Sequence, residues 1–236
     1  MLNQFSRTEL IIGKQGLNKL KKAKVAVFGI GGVGSFVVEG LVRAGIYSFI
    51  IIDNDKISMT NINRQIHATT KTIGEYKTKI MKQRILEINP LANVETIEEF
   101  YLPENSDKIF NNSWTYIVDG IDTVTSKVDL VVKANKFNIP IISCMGTGNK
   151  LDPSQLKVAD IYDTSVCPLA KIMRKELRKN NIKKLKVVYS TELPIEPKCD
   201  LIEITNKRVI PGSISFVPSI AGLIIAGEVI KDIINK

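Results

Sequence analysis

Short apolar runs recur along the chain, each followed by a stretch with helical spacing. The runs cover residues 25–28, 49–52, 94–97, 114–119 and 139–144. Runs of four to six apolar residues bounded by turn residues suit buried strands. Between them, Ile80, Met81, Ile85 and Ile88 follow the 3.6-residue period of a helix with one face on a core, and Pro90 stops that helix after residues 73–89. Residues 104–110 and 124–137 predict two more helices. Strands alternating with helices predict an α/β fold: a Rossmann-like, doubly wound, mostly parallel sheet with helices on both faces. Residues 1–24 read as an arm and helix anchored by Phe5, Leu10, Ile11 and Leu17. Later, 156–161 and 187–190 read as additional strands around a helix at 168–179. Residues 193–209 form a loop rich in Pro, Lys and Glu, and 213–217 a last strand before a closing helix that Pro218 opens. No low-complexity linker or repeat divides the 236 residues. We expect one domain, 1–236, with a nucleotide-binding core at 1–150 and an extension at 151–236.

The first two runs frame a glycine turn. Gly29, Gly31 and Gly34 fit G-x-G-x-x-G, with Gly32 between them, after a strand and before a helix. Gly29 permits the tight turn, Gly31 lets backbone approach a phosphate, and Gly34 seats the helix close to the sheet. The helix N-terminus then presents free N–H groups to an anion. Asp53 ends the second run, where a carboxylate accepts ribose hydroxyls. Ligands of such sheets lie beyond the strand C-termini, where Gly29–Gly34, Asp53, Asp122 and Gly146 all fall.

The glycine motif alone leaves a nicotinamide-dependent dehydrogenase open, and equally a non-catalytic scaffold with a vestigial site. Arg64, Lys77, Lys79 and Asp122 shift the balance. Hydride transfer has no clear need for them, whereas a triphosphate does. Arg and Lys stabilise charge as pyrophosphate leaves, and a carboxylate can hold Mg²⁺ against phosphate oxygens. Read singly, each also suits a solvated helix face, a surface ion pair or a helix cap.

The formal charge of +9 points to an anionic partner, nucleic acid first. Lys171, Arg174, Lys175 and Arg178 share one face of the 168–179 helix and are the candidates for phosphate-backbone contact. Cys144, Cys167 and Cys199 are too few and too scattered for a disulfide framework or a Cys-x-x-Cys zinc site, and a reduced cytoplasm fits them. The start of the chain carries no signal pattern. The apolar segment 217–234 is broken by Pro218, Glu228, Lys231 and Asp232, so it reads as a buried helix rather than a membrane span. His67, the sole histidine, reads as a packed or capping side chain.

The blocks GIGGVGS, IDNDKISMTNINRQ, IGEYK, INP and VDGIDT, in this order, resemble the ubiquitin-activating-enzyme-like superfamily that includes the sulfur-carrier adenylating enzymes. The resemblance implies ATP-dependent adenylation of a carboxylate. It implies that Asp53 binds the ribose, that Asn61, Arg64 and Lys77 bind the triphosphate beside Asp55 and the glycines, and that Asp122 serves Mg²⁺. Arg7 matches an arginine that reaches the neighbouring protomer's phosphates, which implies a homodimer. The later blocks, from GTGNKLDPSQLKVADIYDTSVCPLAKIMRKELRK to GSISFVPSIAGLIIAGEVI, resemble the bacterial tRNA threonylcarbamoyladenosine dehydratase branch. That branch implies tRNA as substrate, cyclisation with release of AMP and pyrophosphate, and a cysteine-desulfurase-type partner system. The absent zinc cysteines weigh against a sulfur-carrier activating enzyme, the alternative reading. Cys167 stands where the branch often has Asp; a thiol nucleophile and a packed Cys at a helix start are both open. The pocket for the modified base is expected near residues 146–152.

Overall fold

A parallel strand covered on both faces has no solvent side, so it reads as an unbroken apolar run. Strands β1 (Lys24–Phe28), β2 (Ser48–Ile52), β4 (Tyr116–Asp119) and β5 (Ile141–Cys144) are of this kind. The computed structural model describes residues 2–196, 198 and 211–235. With β3 (Asn93–Ile97), β6 (Leu156–Asp160) and β7 (Lys186–Ser190), these strands form one sheet in the order β3-β2-β1-β4-β5-β7-β6. Every pair is parallel except β6 with β7. The doubly wound, mostly parallel sheet expected from the sequence is therefore present. Its order reverses between β1 and β4, which opens a crevice at their C-terminal ends.

Alternate strand residues feed two cores. Val25 and Val27 of β1 and Phe49 and Ile51 of β2 face one layer; Ala26, Phe28, Ile50 and Ile52 face the other. The first layer holds α1 (Ser6–Lys22), α2 (Gly34–Ala44), α3 (Lys77–Ile88) and the closing α7 (Val217–Ile234). The second lies under α4 (Ser106–Ile109) and α5 (Val124–Lys136), and α6 (Pro168–Lys179) continues it over β5 and β7. In α6, Ala170, Met173 and Leu177 make the buried stripe at helical spacing.

Helix α7 packs on α2 at very short range. A Cβ on Gly222 would stand 2.4 Å from the Val33 carbonyl oxygen, and one on Gly40 2.8 Å from the Ala226 Cβ. The last helix of the chain thus braces the turn that precedes α2. Among the described residues no helix is long and apolar enough to cross a membrane.

The structure corrects two local expectations. Phe5 and Leu20 anchor α1 and Leu17 is half-buried, but Leu10 and Ile11 are each 86% exposed. The helix breaks at Gly13, so its first half does not continue the buried stripe of its second. Residues 213–217 form no strand. Their neighbourhood is held by side chains, with Asn63 donating to the Ser213 carbonyl at 3.0 Å and the Gly212 N–H donating to Asn149 at 2.6 Å. The backbone then turns directly into α7, whose first turn contains Pro218. Most of the expected 193–209 loop, with Cys199, lies outside the described residues.

Candidate active site

Beyond β1, the chain must turn sharply to start α2. Gly29 does so at φ 82°, a left-handed value that suits glycine, and a Cβ there would stand 2.7 Å from the Gly120 carbonyl oxygen. Gly34 opens α2 against the same turn: a Cβ would stand 1.8 Å from the Gly29 carbonyl oxygen. No side chain caps α2, so its N-terminal N–H groups and positive dipole end face the crevice.

The crevice is a cleft of about 450 Å³. It brings together Gly29, Gly31, Gly32, Asp53, Asp55, Asn61, Arg64, Lys77 and Asp122 from five separate segments. Gly34 sits behind it as packing. Asp53 follows β2. Its carboxylate accepts the Ile30 N–H at 2.7 Å and the Asp55 N–H at 2.8 Å, which fixes it against the glycine turn. Burial pushes this carboxyl up from its ordinary range, against the pull of the Lys77 charge and the two backbone donors.

Lys77 is the first residue of α3, and its ammonium donates to Asp55 at 2.6 Å. Its side chain is 7% exposed, while that of Asp55 is 60% exposed. A fixed cation thus sits beside a carboxylate with room to move. Asn61 closes a 3-10 turn at Met59–Asn61 and accepts the Ser58 N–H at 3.1 Å. Arg64 lays its stem across Gly32, and its guanidinium donates to the Thr60 carbonyl at 2.8 Å and to Asn63 at 2.9 Å. Asp122 is exposed to the cleft and accepts from the Thr123 hydroxyl at 3.3 Å.

Other expected residues lie elsewhere. Lys79 pairs with Glu75 at 2.6 Å and does not line the cleft. Arg7 is exposed on α1, also away from it. On α6, Lys171, Lys175 and Arg178 are exposed, but Arg174 turns inward and donates to the Thr164 carbonyl at 3.0 Å. Cys167 is 3% exposed among apolar neighbours, which favours the packed-cysteine reading. Of residues 146–152, Thr147 lines the cleft, as do Ser213 and Pro218.

The sequence reading missed Gln65, which is buried on the cleft wall next to Arg64, and the pair Asp119 and Lys127 beneath it. Gln65 could have been suspected from its position in the polar run 60–68. Nothing in the spacing of α5 sets Lys127 apart from a solvated lysine.

A family model described as the ThiF family matches residues 5–236. The chain belongs to the ThiF family. It is 43% identical to the tRNA threonylcarbamoyladenosine dehydratase of Bacillus subtilis (strain 168), over 100% of this chain and 96% of that protein. The crystal structure of the E. coli tRNA N6-threonylcarbamoyladenosine dehydratase in complex with AMP superposes with a TM-score of 0.90 at 31% identity. It covers 98% of this chain and 94% of that one. The same E. coli enzyme in complex with ATP gives 0.89 at 30% identity, over 98% and 94%. This ThiF-family chain therefore matches those proteins through residues 151–236 as well as residues 1–150.

His67 closes the polar run that carries Arg64. It is 3% exposed, and neither ring nitrogen meets a partner among the described residues. Burial, then the Lys77 and Arg84 charges, hold its pKa at about 4 instead of 6.5. The unfolded chain takes up this proton near pH 6.5 and the folded chain only near 4, so stability falls as the pH drops through that window. The slope approaches ~1.4 kcal/mol per pH unit below pH 6, which removes about 1.8 kcal/mol between pH 7 and 5. Denaturant unfolding at pH 7 and pH 5 should show this loss in the native chain and not in His67→Phe. Equal losses in both would assign the acid sensitivity to other groups.

Proposed function

We propose that the chain is an ATP-dependent tRNA threonylcarbamoyladenosine dehydratase. The observation that carries this is the end-to-end likeness to that enzyme, which extends through the segment forming the far cleft wall. The ribose of ATP sits on Asp53, and the phosphate chain runs over Gly29–Gly34 toward Arg64 and Lys77. A carboxylate oxygen of the threonylcarbamoyl group attacks the α-phosphorus. The bond to the β-phosphate oxygen breaks and its electron pair leaves with pyrophosphate. A heteroatom of the same carbamoyl group then attacks the acyl carbon. The bond to AMP breaks, a proton is lost to solvent, and the nucleoside is one water lighter. Arg64 and Lys77 stand where negative charge grows on the departing oxygens. The exposed Asp55 can swing outward and leave the Lys77 ammonium, in place, to the phosphate.

In this reading Asp122 would hold a magnesium ion. Asp122 lines the cleft and accepts from the neutral Thr123 hydroxyl. Mg²⁺ is commonly held by one or two carboxylates plus substrate phosphates, and this donor set matches that pattern. When bound, it neutralises phosphate oxygens.

The deciding experiment is incubation with ATP, Mg²⁺ and tRNA bearing threonylcarbamoyladenosine, followed by nucleoside mass analysis. A product one water lighter with matching AMP is expected. AMP formed only with a small protein ending in Gly-Gly would instead support sulfur-carrier activation.

The tRNA lies on α6 in this reading. Lys171, Lys175 and Arg178 are exposed, with Arg178 stacked over Tyr162 at 5.2 Å. Reversing Lys175 and Arg178 to Glu should weaken tRNA binding and reduce the salt slope by about 1 per lost phosphate contact. An unchanged slope places the RNA surface elsewhere.

The active unit is a homodimer in which Arg7 serves the partner's cleft. Exposed Leu10 and Ile11 lie on the same half of α1 and supply apolar surface for the contact. Mixing Arg7→Ala with Arg64→Ala chains should then restore turnover through heterodimers that hold one intact site. No recovery would place both residues in one chain's site. We place the reaction in the cytoplasm, where the tRNA substrate resides. A cysteine-desulfurase-type partner rests on the family resemblance, and co-purification tests it.

A further inference from the structure

Lys127, on α5, has no exposed surface, and neither has Asp119 at the end of β4. Their charged groups meet at 2.9 Å. The Lys127 ammonium also donates to the Ile121 carbonyl at 3.0 Å and the Cys144 carbonyl at 2.9 Å. All three of its protons are therefore used. Asp119 in turn accepts the Ile121 N–H at 3.1 Å and the Ser143 hydroxyl.

Taking two such ions out of water costs several kcal/mol each, and apolar groups of similar volume often serve stability as well or better. Stability is thus a poor account of this pair. Its position suggests another. The lysine joins the carbonyl end of β5 to the loop leaving β4: it holds the Ile121 carbonyl, while its partner Asp119 holds the Ile121 N–H. The next residue is Asp122. The loop also abuts the glycine turn, with the Gly120 N–H donating to the Phe28 carbonyl at 2.8 Å.

We propose that Lys127, acting through Asp119 and the backbone of Ile121, is a positioning residue for Asp122. It fixes that carboxylate relative to the phosphates over the glycine turn. The inference rests on the reading of Asp122 as a group that serves the triphosphate and its Mg²⁺.

The test compares three variants of the full chain. Lys127→Met/Asp119→Asn removes both charges together and leaves no buried ion alone. It should fold with a Tm near that of the native chain and keep KM for ATP within a few-fold. It should lower kcat for pyrophosphate exchange by about 10²-fold, as displaced catalytic groups do. Amide hydrogen exchange at residues 120–123, measured without nucleotide, should quicken. In an Asp122→Ala background the same pair replacement should cost no further kcat, because both act on one group. A pair that only supported the fold would give losses that multiply. Native kcat and native exchange in the double variant, or multiplying losses, overturn the proposal. Asp122→Ala alone with unchanged turnover overturns the underlying reading of Asp122 instead. Should the double variant not fold, Ser143→Ala decides: it loosens Asp119 without touching either charge. A fall in kcat with unchanged KM for ATP supports the proposal, and native kcat with native exchange overturns it.

Discussion

Arg64→Ala is expected to lower AMP formation by about 10²–10³-fold, the usual cost of deleting one preorganised group from a site of developing charge. The guanidinium is held in place before any ligand arrives, by the Thr60 carbonyl, by Asn63 and by its stem on Gly32. In the proposed reaction no reorganisation is then needed when pyrophosphate departs. Arg64→Lys should recover little, because an ammonium cannot keep this fork geometry and reach a phosphate as well. The side chain is only half-buried, so Tm should stay close to native. Pyrophosphate exchange and thermal unfolding on the same preparations check both points. Native turnover in Arg64→Ala would remove this residue from the phosphate path.

Gly34→Ala, behind the cleft, is expected to be the most damaging single-methyl change to the glycine turn. The added carbon would fall 1.8 Å from the Gly29 carbonyl oxygen and 2.9 Å from its carbon, and both are backbone atoms that cannot rotate aside. Either α2 lifts off β1 or the turn opens. Both outcomes misplace the N–H groups that meet phosphate in the proposed reading. Overpacking of this kind costs about 3 kcal/mol, or roughly 10 °C in Tm for a chain of this size, and nucleotide binding should be lost with it. Gly227→Ala in α7 is the matched control. No atom lies within 4 Å of its added carbon, so the exchange should be neutral or stabilising by about 0.5–1 kcal/mol. Thermal unfolding and ATP titration of the two variants side by side test the contrast. Similar Tm values would mean that the turn is plastic.

Most cleft residues were legible in the sequence because they sit at strand ends. Gly29 and Asp53 close apolar runs, and position in a parallel sheet then dictates that they meet at the crevice. Arg64 and Lys77 were legible as charges without a local reason. Lys79 looked equivalent to Lys77, two residues away. Yet two residues on a helix is more than half a turn, so one ammonium entered the cleft while the other paired with Glu75. Arg174 looked like part of an exposed basic face, but the Thr164 carbonyl beside the start of α6 drew it inward. The strand expected at 213–217 had the right alternation. It failed because the segment is anchored by side chains distant in the chain, Asn63 at Ser213 and Asn149 at the preceding Gly212.

The sequence by itself determined the order of strands and helices, the two-faced burial of the sheet and the glycine turn with its acidic tip. These depend on local periodicity and on backbone freedom, which neighbouring residues specify. Tertiary structure alone decided which lysine is buried with an aspartate, which arginine faces solvent and which late segments wall the cleft. Those outcomes depend on groups tens of residues apart sharing one desolvated space, and no local pattern records that meeting.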